Sequence, residues 1–376
     1  MPPNSGIFVA WPPMSRSIVV AAIVIALASH VGAQSTSTYL GMALNLAATT
    51  PLGGVGFGQR RRHHRRPAPG MPLDEYVAAG CTYYGLGADW GVLQPSLGTI
   101  DLRRLTDPLS TIVSGYPQIT SFGLTITMLN GARRSLPVEL SSRAWDDPDV
   151  IATFEGLIDR IAMEPLLNQH VRYVLLGNEI FGGLPTPSDR DAFAVFFAAI
   201  VAHIHARLPS VQVGTIIEAA IALVGGPAEF DRMLALSDLA AFTYYPVVGM
   251  MTPTPITGPW QVEDEATMRA ELSALMQRVG GKPVIINEIG VSASPINGSS
   301  ERIQASRVTA VFDVLNATRP VVLAWHAQHD YDPALAAQFP KPVRAYVSHL
   351  GLRRWRDDQP RLAWDAFRTG VQRWSQ

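Results

Sequence analysis

The chain has 376 residues, a mass of 40.7 kDa and a formal net charge of −1. Hydrophobic residues make up 47%, which excludes a disordered chain, and the near-neutral balance excludes a general nucleic-acid binder, which needs a basic excess against phosphates. One cysteine, Cys81, excludes an internal disulfide framework and any Cys-rich zinc or iron–sulfur site.

In chain order, the first segment reads as an address. Arg16 supplies positive charge, Ile18–Ala28 is an unbroken apolar run, and Val31-Gly32-Ala33 offers the small residues a signal peptidase reads. The run is well short of the roughly 20 residues that span a bilayer, so cleavage before Gln34 is expected rather than anchoring. Residues 1–33 are therefore read as a signal peptide and 34–376 as the mature protein, secreted or periplasmic, with no stable membrane insertion.

From Tyr39 onward, short β-rich apolar runs alternate with helical patterns at spacings of roughly 30–50 residues. The expected strands are Tyr39–Leu46, Thr82–Gly87, Ser121–Met128, Val171–Leu176, Val211–Ile216, Leu239–Tyr244, Pro283–Asn287 and Val321–Trp325. Helical spacing marks Val150–Leu167, Arg190–Leu208, Glu263–Val279 and Glu301–Leu315. Strands apolar throughout are those covered on both faces, and eight strand–helix units predict a single-domain α/β protein, a (β/α)8 TIM barrel. The rival doubly wound sheet usually has a GxGxxG turn after its first strand, and LNLAATTPLGGVGFG lacks that spacing. That loop carries an Arg-rich insertion at about residues 53–70, with the run Arg60–Arg66. It reads either as a solvated insertion or as a flap that attracts an acidic ligand.

The chemistry concentrates in two strings. VRYVLLGNEI ends an apolar strand in Asn178 and Glu179, and KPVIINEIG ends another in Asn287 and Glu288. A glutamate at the end of a hydrophobic strand is costly without a purpose. In a barrel both strand ends open on one face, so two carboxylates converge on one ligand. Glycoside hydrolysis needs such a pair: one carboxyl held protonated for the leaving oxygen, one ionised to attack the sugar carbon. Each Glu alone would also fit a helix start near the N-terminal dipole.

At these residues the chain resembles clan A glycoside hydrolases, retaining (β/α)8 enzymes with an Asn-Glu acid/base after the fourth strand and a Glu nucleophile after the seventh. The resemblance implies that Glu179 is the acid/base, Glu288 the nucleophile, and Asn178 a partner of the sugar 2-hydroxyl. It also implies a tyrosine bonded to the nucleophile at the end of the sixth strand, Tyr245 first and Tyr244 second, and an aromatic platform, Trp325, at the end of the eighth. The Gly-Asn-Glu strand end is similar to the β-1,3-glucanase and β-1,4-galactanase branches. The chain departs from several branches in having Gly87-Ala88-Asp89-Trp90 where an arginine is usual, and Thr243 where a histidine is.

Other residues expected on this face are Trp90, Asn130 and Asn45, with Trp260 as a further stacking surface. Trp90 fits a packing aromatic equally well. His326, His329, Asp330 and Asp332 in HAQHDYD offer metal-ligand types but match no HExxH-like spacing, so a polar loop is preferred and neither metal nor cofactor is expected. The partner expected is an oligo- or polysaccharide. The functions left open are a retaining β-glycosidase, a transglycosylase on the same site, a catalytically silent glycan-binding barrel, and a metal-dependent barrel enzyme.

Overall fold

The computed structural model describes residues 73–374, apart from 252–255 and 257. The export segment, the expected first strand Tyr39–Leu46 with Asn45, and the Arg60–Arg66 run lie outside the described residues. No helix among those described is long and apolar enough to cross a membrane.

The strands are β1 (Tyr83–Asp89), β2 (Ser121–Asn130), the two-residue β3 (Arg133–Arg134), β4 (Val171–Asn178), β5 (Gln212–Gly214), β6 (Ile216–Glu218), β7 (Ala240–Tyr244), β8 (Val284–Ile289) and β9 (Val322–Trp325). β1, β2, β4 and β5 pair in that order in parallel, as do β6, β7, β8 and β9; among these described strands only the β2–β3 ribbon is antiparallel. The expected fifth strand is thus two pieces, β5 and β6. Between them the Thr215 hydroxyl donates to the Leu176 carbonyl at 2.6 Å, which ties the break to β4.

Closure of the sheet follows from which side chains meet. Leu175, Ile216, Leu239, Ala241, Ile285 and Val322 form a separate apolar cluster, and Tyr83 of β1 packs against it. Residues from the two extremes of the strand order, β1 and β9, therefore reach one axial core. The remaining apolar strand residues, such as Leu176, Ile217, Phe242 and Ile286, point the other way into the main core beneath the helices. The fold is an α/β barrel of the (β/α)8 class, with seven parallel strand positions among the described residues.

The helices begin where capping chemistry says they should. Pro187–Arg207 starts with proline at its first position behind a Thr186–Asp189 capping box, and Glu265–Arg278 and Glu301–Thr318 start behind Asp264 and Ser300. Phe154 of helix Pro148–Met163 and Phe193, Phe196 and Phe197 of Pro187–Arg207 are fully buried and pack ring against ring outside the barrel. Because the strands run parallel, their carboxyl ends open on one face.

Candidate active site

β4 ends in an irregular backbone. Gly177 has φ +80°, and a Cβ there would stand 2.6 Å from Ile180 Cγ2, so this position excludes a side chain twice over. Two residues on, Glu179 is itself left-handed, with φ +50°. A non-glycine residue held there carries strain of about 1–3 kcal/mol, the kind retained where a side chain must be aimed.

Glu288 is aimed by a different device. Simple alternation from Ile285, which faces the axis, would point Glu288 away from it. The registers show an extra residue instead: Phe242 pairs with Ile286 but Thr243 with Glu288, so Asn287 is a bulge. The pairing with β9 skips at the same place. The bulge turns Glu288 to the face that Thr243 occupies.

Thr243 links the two glutamates. Its Cα is in register with Glu288 on one side and Glu218 on the other. Its hydroxyl donates to Glu179 Oε1 at 2.9 Å. Strands in a sheet lie about 4.7–4.9 Å apart, so Glu218, Thr243 and Glu288 form one layer across three strand ends, with Glu179 bonded to the middle of it. All three glutamates are buried.

The two expected carboxyls have unequal partners. Glu288 Oε2 accepts the Tyr245 hydroxyl at 2.7 Å and lies 3.4 Å from His326 Nδ1. His326 in turn shares a 2.6 Å hydrogen bond through Nε2 with Tyr331, whose ring stacks on it. Among the described residues, the Thr243 hydroxyl is the hydrogen-bond partner of Glu179. Burial pushes Glu179 up to about 7 against that one hydrogen bond. Burial, then the neighbouring charge of Glu179, raises Glu288 to about 8, and the Tyr245 hydroxyl opposes the rise. Carboxyls this close titrate as one set and cannot all ionise near neutrality. Donors converge on Glu288, from Tyr245 and, at 3.4 Å, His326, whereas the Thr243 hydroxyl alone is turned to Glu179 among the described residues.

The other expected residues divide into those at this face and those elsewhere. Asn178 is buried and donates through Nδ2 to Asn130 Oδ1 at 3.2 Å, while its own Oδ1 has no partner. Tyr244 turns outward: its hydroxyl donates to Glu271 Oε2 at 2.7 Å, on helix Glu265–Arg278, so of the two tyrosines Tyr245 is the one that reaches Glu288. Trp90 is fully buried, edge-on to Phe154 with centroids 4.8 Å apart, and its Nε1 donates to Gln94 at 2.9 Å. It is a packing residue between barrel and helices, which corrects its expected place in a sugar site. Trp260 is likewise buried, against Tyr346. Trp325 is buried in the main core, with an indole Nε1 that lacks a hydrogen-bond partner.

The loop after β9 is tied up structurally. His329 pairs with Asp358, Asp330 with Arg361 in a bidentate bridge, and Asp332 caps a short helix. No group of three metal-ligating side chains occurs among the described residues. Burial pushes the Cys81 thiol up to about 12, which leaves it unreactive.

Sequence reasoning missed three participants. Glu218 carries the same signal as the other two, a glutamate ending an apolar run, but the expected strand stopped at Ile216. Thr243 was noted only as a departure, and His326 only as a metal-ligand type. The position where an arginine was expected is also filled from elsewhere. Arg133 on β3 makes a bidentate bridge to the buried Asp89 at the end of β1, at 2.7 and 3.1 Å.

No protein-family model matches the sequence, and no curated protein does. Solved structures do. A Glu-to-Ala variant of a GH5_18 protein from Streptomyces cattleya, in complex with Manβ1-4GlcNAc, is 20% identical, with a TM-score of 0.62 over 80% of this chain and 74% of that one. A GH5_18 protein from Bifidobacterium longum is 15% identical, with a TM-score of 0.63 over 81% and 73%. An exo-β-1,4-mannosidase from an Opitutaceae bacterium is 15% identical, with a TM-score of 0.60 over 79% of this chain but 54% of that one. Likeness at such identity speaks for the fold, and at that level the resemblance to clan A glycoside hydrolases holds.

Proposed function

We propose that the protein is a retaining β-glycoside hydrolase acting on a β-linked oligo- or polysaccharide. The observation that carries this reading is the pair Glu179 and Glu288, both buried at strand ends, joined through Thr243, and held by unequal donors. Buried carboxyls that no Lys or Arg pairs among the described residues are unfavourable for folding, so their place at the open end of a barrel argues for chemistry. Sugar ligands in the structural neighbours support a saccharide substrate, and the neighbour named as an exo-β-1,4-mannosidase makes β-mannosides the first class to try.

The cycle needs the proton on Glu179 and the charge on Glu288, the carboxyl toward which Tyr245 and His326 turn. Glu288, held anionic by Tyr245 and His326, attacks the anomeric carbon, forming a glycosyl ester as the glycosidic bond breaks. Glu179 gives its proton to the departing oxygen. Glu179, now the anion, then takes a proton from water, whose oxygen attacks the anomeric carbon and frees Glu288. The site carries one negative charge throughout, moved from Glu288 to Glu179 and back. If a sugar hydroxyl takes the place of water, the same site transfers a glycosyl group.

Asn178, with a free carbonyl oxygen beside Glu179, fits a sugar hydroxyl donor. The leader-like first 33 residues support export, to the cell exterior or periplasm, where glycans are met. The test is a screen of purified protein against aryl β-mannosides, glucosides, galactosides and xylosides and the corresponding polysaccharides. Turnover in wild type, lost in Glu179→Gln and Glu288→Gln with the fold intact, is the expected result; no turnover of any β-glycoside removes the reading.

A further inference from the structure

The loop 326–332 is fixed more firmly than a polar connection needs. The His326 amide donates to the Ile289 carbonyl at 2.7 Å, and the next residue, Ala327, is left-handed with φ +66°. Such a backbone in a non-glycine residue is retained where a side chain must be aimed. Tyr331 stands between two anchors: Asp330, in its buried bidentate bridge with Arg361, and Asp332, the cap of helix Pro333–Ala336. Its ring stacks on His326 with centroids 5.9 Å apart and meets Phe339 edge-on at 5.7 Å. A phenylalanine would fill that place, and a buried hydroxyl is costly unless it is paired. The hydroxyl meets His326 Nε2 at 2.6 Å, and the other ring nitrogen, Nδ1, stands 3.4 Å from Glu288 Oε2. Tyr245, beyond β7, also faces the imidazole, edge-on at 5.7 Å, and donates to the same Glu288 oxygen. Glu179 lies further off, bonded to Thr243.

We propose that Tyr331 is a positioning residue for the nucleophile: its hydroxyl donates to His326 Nε2, which places the ring proton on Nδ1 and turns an N–H toward Glu288. The catalytic meaning of this rests on the glycosidase reading above; the tautomer itself does not. A neutral imidazole has one donor and one acceptor nitrogen, and the partner of one decides the role of the other. With the proton on Nε2 instead, the Nδ1 lone pair would face an oxygen that must carry charge to attack a sugar. With the proton on Nδ1, Glu288 Oε2 is offered a second donor beside the Tyr245 hydroxyl, at a distance with room to shorten once substrate is bound. Donors to the charged form favour that form, so both act against the burial that raises Glu288.

The test is nitrogen-15 NMR of the histidine-labelled full-length protein near neutral pH, in wild type and Tyr331→Phe, with His326→Gln to assign the signal. Profiles of kcat and kcat/KM against pH go alongside. In wild type, His326 is expected to be neutral with its proton on Nδ1. In Tyr331→Phe the proton should move toward Nε2, and the acidic limb of the kcat/KM profile should rise by about one pH unit. KM should change less than kcat. A proton on Nε2 in wild type, alone or together with one on Nδ1, overturns the proposal even if the variant does not fold. So does a His326 signal, or an acidic limb, that superimposes in the two proteins. If the tautomer and its change appear but no glycoside is turned over, the positioning stands and the glycosidase reading is the one that fails.

Discussion

Tyr245 donates to Glu288 at 2.7 Å, whereas Tyr244, the residue before it, donates to Glu271 on the outer helix layer. Two neighbouring phenols thus serve opposite faces of one strand end, and their phenylalanine variants should separate. Tyr245→Phe removes a donor that lowers the Glu288 pKa, so the acidic limb of the rate profile should move up by about one pH unit. The rate at the optimum should fall roughly 10- to 100-fold. Tyr244→Phe should leave the profile alone and cost about 1 kcal/mol in denaturant unfolding. Equal effects would contradict the assignment.

The buried carboxyls should weaken the fold as pH rises. Glu179 is raised from 4.5 to about 7, and Glu218 and Glu288 to about 8. Between the unfolded and folded values the folded state binds more protons, so stability is complete below about pH 4.5 and lost as pH rises through 7 to 8. Glu179→Gln and Glu288→Gln cannot ionise. Each should melt above wild type at pH 8 and level with it near pH 4.5, a gap on the order of a few kcal/mol that thermal scans across pH will show. Variants that melt lower at pH 8 would mean the carboxyls are held by partners not described above.

Gly177→Ala tests how Glu179 is aimed. The new Cβ meets Ile180 Cγ2 at 2.6 Å in a left-handed backbone. The variant should lose about 1–3 kcal/mol of stability and most of its turnover, while Gly115→Ala, in open space on a helix, should lose neither. Unchanged activity in Gly177→Ala would show that the strand end tolerates another path.

Trp90 separates packing from sugar binding. Trp90→Ala should cost about 3–5 kcal/mol, as for a large buried aromatic, because it empties a site among Phe154 and Phe196. Trp90→Phe, which keeps the apolar fill, should bind saccharide with the wild-type KM. A large rise in KM for Trp90→Phe would return this side chain to the sugar site.

These cases show what was legible in the sequence. The strands were visible because β-rich apolar runs alternate with helical spacing, and the two Glu strings stood out because a charge ends an apolar run. What a linear pattern cannot carry is direction. Period-two alternation points Glu288 away from the axis, and only the Asn287 bulge corrects it. An aromatic at a strand end reads the same whether it faces ligand or helix, so Trp90 and Trp260 were indistinguishable from platforms. Glu218 was readable by the same rule as its neighbours, but the expected strand, Val211–Ile216, stopped two residues short of it. The Arg133–Asp89 bridge joins residues 44 apart and leaves no local trace.

The most direct measurement of the central claim is covalent trapping. Wild-type protein incubated with activated 2-deoxy-2-fluoro-β-glycosides, chosen from the sugar it turns over, should inactivate with time and gain the mass of one glycosyl group. Peptide mapping should place that group on Glu288, and Glu179→Gln should still accept it. An adduct on Glu179 or elsewhere, or steady turnover with no adduct, would contradict Glu288 as the attacking carboxylate and Glu179 as its proton donor.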